Sequence, residues 1–330
     1  MTFTSLLRAA LGAVLALAAI PAFSQDASDF KTLAKARKFA DIEALGRERL
    51  KKNGNDDVAI WYLARYAAGD EKKREEFIPL AEQCVRNLPA SARCHHALGT
   101  LYGAAAMSAG LVNGIKYATR IKDSFATAVE LDPAAFDARR DLNQFYLQAP
   151  GLAGGSVRKA VANSEAHARL HAGQGAILRA EVHAYEKEFE LAEKLLSGVR
   201  PAAGDEDTAT ALNQAWAGLG FAMLNDKRAA QAVMLFERRL AADMGNALFH
   251  FGLGRAHLEN GAADLAIAAL EKALSIDSKL SAHYRLGIAY QLKGDRSKAM
   301  AAFQQFLGYS SSGKAADDAR ARLEALKKGV

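Results

Sequence analysis

The sequence predicts an all-α protein, a right-handed α-solenoid of stacked helix-turn-helix repeats, and three observations carry that expectation. The first is periodicity, since between 211 and 311 one apolar pattern is written three times in phase. Trp216, Leu219, Gly220, Met223, Ala232 and Phe236 return as His250, Leu253, Gly254, His257, Ala266 and Leu270, then as His283/Tyr284, Leu286, Gly287, Tyr290, Ala299 and Phe303. The leucine landmarks are spaced by 34 and then 33 residues. The second is the glycine in each predicted first helix. Glycine within a helix is about 1 kcal/mol worse than alanine, so Gly220, Gly254 and Gly287 need a packing reason, which close approach of the second helix supplies. Ala232, Ala266 and Ala299 are the small residues opposite, and Phe236, Leu270 and Phe303 lie four residues on, on the same face. The third is composition: six prolines, 50% hydrophobic and 24% charged residues, abundant alanine and few β-branched runs favour helices around a large core.

Turn residues recur in the same phase, as Asn225-Asp226, Asn260-Gly261 and Lys293-Gly294-Asp295. A single helix pair cannot bury its apolar face, so such units stack. The pattern W-x₂-L-G-x₂-Y followed by A-x₃-F at a period near 34 resembles the tetratricopeptide repeat, of the kind found in exported bacterial proteins. The likeness is close over 211–311 and looser upstream.

At the N-terminus, Arg8 precedes an apolar run over 9–20, then Pro21 and the small-x-small step Ala22-Phe23-Ser24, after which the chain turns polar at Gln25-Asp26. A bilayer core needs about 20 apolar residues, so this run reads as a secretory signal cut after Ser24 rather than as a span, with an uncleaved anchor as the alternative. No cysteine follows the run to carry a lipid. The mature protein is expected in the periplasm or outside the cell, without a membrane span.

Residues 25–210 read as degenerate tetratricopeptide-like repeats with two insertions. A first degenerate pair over 29–52 caps the stack, and a unit around Leu63-Ala64 follows. Cys84 and Cys94 lie on predicted helices 75–87 and 91–102, each five residues from Pro89 and so at one height on an antiparallel pair. They form a candidate disulfide, with two small buried core residues as the alternative; Cys-x₉-Cys is not a redox motif. Leu98-Gly99 with Tyr102 opens the next unit, and Phe125, Ala128, Leu131, Asp132 and Pro133 close it. The following landmark, Leu142, comes 44 residues after Leu98, so about ten extra residues fall in 103–114. They either lengthen both helices or form a flap. Leu142 with Tyr146 begins a unit interrupted by the second insertion, 149–156, before a helix from Val157 with Ser156 as N-cap. A unit around Ala180 and Ala192 leads into the three regular repeats of 211–311, and 312–330 forms a C-terminal capping helix that Ser311 or Ser312 could begin.

The formal net charge of +6 is spread among acidic residues, as in Lys72-Lys73-Arg74-Glu75-Glu76, which argues against a nucleic-acid partner. The glycine-rich loop 151–156 lacks the lysine of a phosphate-binding loop and no predicted strand precedes it. His167 and His171 share a helix face, yet no third ligand accompanies them, so neither a metal nor any other cofactor is expected. No nucleophile motif is present, and an enzyme is not expected. The family resemblance implies instead that first-helix positions line an inner groove. Carried onto this sequence, they select Trp61, Arg65, His96, Arg140, Gln144, Phe221, Asn225, Phe251, Arg255 and Arg285. Arginines among apolar and amide side chains suit a protein or peptide partner. The expected function is therefore a non-catalytic scaffold or adaptor in a cell-envelope process. The alternative is a periplasmic small-ligand or metal-binding protein using the two insertions with His167 and His171.

Overall fold

The computed structural model describes residues 27–310 and 313–328. Among these are seventeen α-helices, two short 3₁₀ turns and no strand. The signal-like run 9–20 with its cleavage position after Ser24, and the capping serines Ser311 and Ser312, lie outside the described residues. No described helix is long and apolar enough to cross a membrane. The chain forms two compact units divided after Gly114.

The first unit contains α1 (Ser28–Lys35), α2 (Phe39–Lys52), α3 (Asp57–Ala67), α4 (Glu71–Asn87) and α5 (Ala92–Gly114). Helix α4 starts one turn before the expected position 75 because Asp70 accepts a hydrogen bond from the Lys73 amide and caps it. Phe30, Ile42, Val58 and Tyr62 are buried together, with the Phe30 and Tyr62 rings stacked 4.5 Å apart. Cys84 of α4 and Cys94 of α5 are fully buried and joined by a disulfide, with their Cα atoms 5.6 Å apart. The insertion 103–114 continues α5, so the first helix alone absorbs the extra residues. Its path breaks at Gly110, where φ is +74°, a conformation that favours glycine. The division between the units thus falls inside the segment that the sequence pattern reads as one repeat.

The second unit contains α6 (Ala118–Leu131), α7 (Phe136–Gln148), α8 (Val157–Ala168), α9 (Ala172–Tyr185), α10 (Phe189–Gly198), α11 (Glu206–Asn225), α12 (Ala229–Ala242), α13 (Ala247–Glu259), α14 (Ala263–Ile276), α15 (His283–Lys293), α16 (Arg296–Tyr309) and α17 (Lys314–Lys328). The packing reason for the repeated glycines is visible. A Cβ at Gly254 would lie 2.6 Å from Leu270, one at Gly287 would lie 2.7 Å from Phe303, and one at Gly220 would overlap the Phe236 ring. Phe236 also fills the space beside Gly252 of the next first helix, so one buried ring joins α11, α12 and α13.

Five of the turns within helix pairs share a backbone device. Lys187, Lys227, Gly261 and Gly294 have φ of +64°, +61°, +74° and +84°, and Arg37 of the first unit has +52°. After each, the next amide reaches back to a carbonyl five residues earlier, as in Glu188 N–H to His183, Arg228 N–H to Met223 and Asp295 N–H to Tyr290. These are the paired hydrogen bonds of a Schellman ending, which satisfy the last helical carbonyls and fix the angle at which the second helix leaves.

Candidate functional site

In the second unit the first helices α7, α9, α11, α13 and α15 lie side by side, each against the next. They therefore share one face, and the residues on it fall into three groups. Arg140, Gln144, Gln148, Glu181 and Gln214 make a polar cluster across α7, α9 and α11. Arg140 donates Nε–H and Nη2–H to Glu181 Oε1, both at 2.7 Å, and Nη1–H to Gln214 Oε1 at 2.6 Å. Gln144 donates to Glu181 Oε2 at 3.0 Å and accepts from Gln148 at 2.8 Å. Burial pushes the Glu181 carboxyl above the usual carboxylate range, against the pull of Arg140 and Gln144. The guanidinium of Arg140 is thus already occupied by the protein's own acceptors.

The second group is aromatic and cationic. The Phe221 and Phe251 rings meet edge to face at 6.1 Å, and the Arg255 guanidinium lies 5.0 Å from the Phe221 ring centre. Arg285 lies over Tyr284 at 5.5 Å. Phe221, Phe251, Leu258 and Ile288 are half-buried, leaving apolar surface beside the two arginines, whereas Asn225 is exposed at the end of α11. The third group ties the last helix to this face: Asp318 accepts from Tyr284 Oη at 2.7 Å and from Arg322 Nε at 2.6 Å, and Arg322 Nη1 donates to Gln291 at 2.9 Å.

In the first unit, Trp61 Nε1–H donates to His96 Nδ1 at 2.8 Å and the Arg65 guanidinium sits 5.1 Å from the Trp61 ring. Arg65 is exposed and Trp61 half-buried, while His96 is buried beneath them. The structure thus brings Trp61, Arg65 and His96 together, and separately Phe221, Phe251, Arg255 and Arg285. Glu181, which neutralises Arg140, is a member of the face that the sequence pattern leaves out.

Behind the face lies a polar layer with no sequence signature. Arg139 donates to Asn163 at 3.3 Å and to the Pro133 carbonyl at 3.1 Å, and Asn163 donates to Asn143 at 3.2 Å. His167 is fully buried, its Nε2 bonded to Gln174 Oε1 at 2.8 Å, and Gln174 donates onward to Thr208 at 2.9 Å. His171 is exposed, with its ring centre 5.5 Å from that of His167. Among the described residues no His, Cys, Asp or Glu joins this pair to place a third ligand atom within 4.8 Å. Burial first, and the nearby charge of Arg139, hold His167 below the usual imidazole range. The unfolded chain takes up this proton near pH 6.5 while the native chain does not, so the stability His167 contributes is present above that pH and is lost as pH falls below it. Urea midpoints at pH 7.5 and 5.5 are expected to diverge more for the wild type than for His167→Gln, and equal divergence would contradict the assignment.

The glycine-rich loop is equally self-contained. The amides of Ala153, Gly154, Gly155 and Ser156 donate to Pro150, Gly151, Pro150 and Tyr146 carbonyls, and Ser156 Oγ caps α8 at the Lys159 amide. A phosphate would find those donors taken. Among the described residues, His183, Glu186 and Glu188 form the one group of three or more His, Cys, Asp or Glu residues that place their ligand atoms within 4.8 Å of one another. Arg179 Nε donates to His183 Nε2 there at 3.3 Å, so a cation already faces the cluster.

No protein-family model matches the chain. A TPR repeat-containing protein of Pseudomonas aeruginosa is 38% identical over 77 residues, which are 23% of this chain and 73% of that protein. Among solved structures, yeast Tom70 aligns with a TM-score of 0.61 at 14% identity, over 89% of this chain and 59% of its own. The APC/C hetero-tetramer Cut9-Hcn1 aligns with a TM-score of 0.45 at 17% identity, over 90% of this chain and 54% of its own. The chain thus spans little more than half the length of these two structural relatives. Its repeat pattern, its stacked helix pairs and its identity to the bacterial relative agree, and the chain belongs to the tetratricopeptide repeat proteins.

Proposed function

We propose that this protein is a non-catalytic scaffold or adaptor that binds a protein or peptide through the first-helix face of its second unit, and that it works in a cell-envelope process after export. The observation that carries the proposal is the row of half-buried aromatic and arginine side chains over α11, α13 and α15. Partner-binding surfaces concentrate arginine and aromatic anchors in this way. The signal-like segment of 1–24 and the Cys84–Cys94 bridge support an oxidising compartment.

Crosslinking in intact cells followed by capture of the tagged protein tests the proposal. The double variant Arg255→Glu with Phe251→Ala is expected to reduce crosslinked partner about tenfold or more, because it reverses one charge and removes one anchor. Unchanged capture would count against this face. Mass spectrometry of the protein recovered from the envelope fraction is expected to show a chain starting at Gln25.

A further inference from the structure

Resting on that reading, we infer that Arg255 and Arg285 receive a carboxylate side chain of an extended peptide whose neighbouring apolar side chain seats against Phe221, Phe251 and Ile288. The arginines of this face differ in one respect. Arg140 is engaged by Glu181 and Gln214, and Arg322 by Asp318 and Gln291. Arg255 has only Glu259, at 3.6 Å, and Arg285 has no ion pair among the described residues.

Arg255 is held rather than loose. Its side chain is 17% exposed, its Nε is buried without an acceptor, and its fork is fixed over the Phe221 ring. Burial, and then the like charge of Arg285, both work against its ionised form. Two guanidinium groups of like charge on one face repel each other in the free protein, and an incoming carboxylate at their exposed side relieves that repulsion. Binding there is therefore favoured by a defect already present in the unliganded face. The planar, oriented guanidinium matches a carboxylate through paired hydrogen bonds. Glu259 stands one turn away on α13, close enough to compete for Arg255. Phe221 borders Arg255 directly and meets Phe251 edge to face, and Ile288 lies three residues from Arg285 on α15, so the ligand combines one acidic and one apolar side chain within a few residues.

The test is selection from a display library of random 12-residue peptides on the purified wild-type protein and on an Arg255→Gln/Arg285→Gln variant, followed by fluorescence anisotropy with the selected peptides. Wild-type protein is expected to enrich sequences with Asp or Glu within three residues of a large apolar side chain, and the double variant to lose that enrichment. Affinity is expected to fall about tenfold in the double variant and severalfold between low and high salt. Glu259→Gln, which removes the competing carboxylate, is expected to raise affinity about two- to threefold. Circular dichroism checks that the variants fold, and Arg285→Gln alone, at a residue with no ion pair to lose, serves if the double variant does not. Enrichment without acidic residues, or equal enrichment on both proteins, would overturn this inference and leave the scaffold proposal standing. A selection that enriches no peptide at all would also overturn this inference, while the scaffold proposal is decided by the crosslinking test.

Discussion

Phe236→Ala is expected to destabilise the second unit by about 3–5 kcal/mol, the range for truncating a fully buried aromatic ring. The ring has no exposed surface and fills the space left by two glycines, Gly220 on α11 and Gly252 on α13. Neither glycine can supply atoms to refill the void, and a helix can close it only by moving as a whole. Phe236 also touches the candidate face from behind, since its ring centre lies 5.9 Å from that of Phe221. Loss of the ring should therefore loosen the spacing of α11 and α13 and the orientation of the Phe221–Arg255 pair together. Urea unfolding followed by circular dichroism, with hydrogen exchange of α11 and α13 amides, measures the effect. Phe236→Leu should keep much of the stability, and a loss below about 1 kcal/mol for the alanine variant would contradict the three-helix role.

The same residue shows why this part of the fold was legible in the sequence. Glycine in a helix followed at fixed distance by an aromatic or a leucine has few physical explanations, and the distances at Gly254 and Gly287 supply the one expected. Other parts were hidden for equally specific reasons. The turns at Arg37, Lys187 and Lys227 adopt left-handed conformations that glycine would announce and that arginine and lysine do not. Glu181 escaped because its repeat has no leucine-glycine pair to set the phase, so its place opposite Arg140 could not be counted from the pattern. Arg139, Asn143, Asn163 and His167 are residue types that usually face water, and only the hydrogen bonds among the first three and from His167 to Gln174 make them an interior layer. The insertion at 103–114 could be counted from the spacing of Leu98 and Leu142, but not its form. Continuing α5 through it requires a break at Gly110, a detail that glycine-rich composition permits without dictating.

Replacing Cys84 and Cys94 together by alanine is expected to weaken the first unit by about 3 kcal/mol while leaving the second unit unchanged. The bridge closes a loop with a sequence separation of 10 between two helices that already pack, and for so short a loop the loss of chain entropy in the unfolded state gives about that figure. Both sulfurs are fully buried, so alanine also leaves a small void. Reduction of the wild type separates the two contributions: a reductant should reproduce most of the double variant's loss if the crosslink matters more than the sulfur volume. The comparison also bears on compartment. A chain kept in a reducing cytosol would carry a weakened first unit, and limited proteolysis should then cut 27–114 well before the repeats of 211–310. Exported protein should resist cleavage in both units. Equal melting of oxidised, reduced and double-alanine protein would show that the bridge is incidental to the fold, and would remove the main structural support for an oxidising compartment.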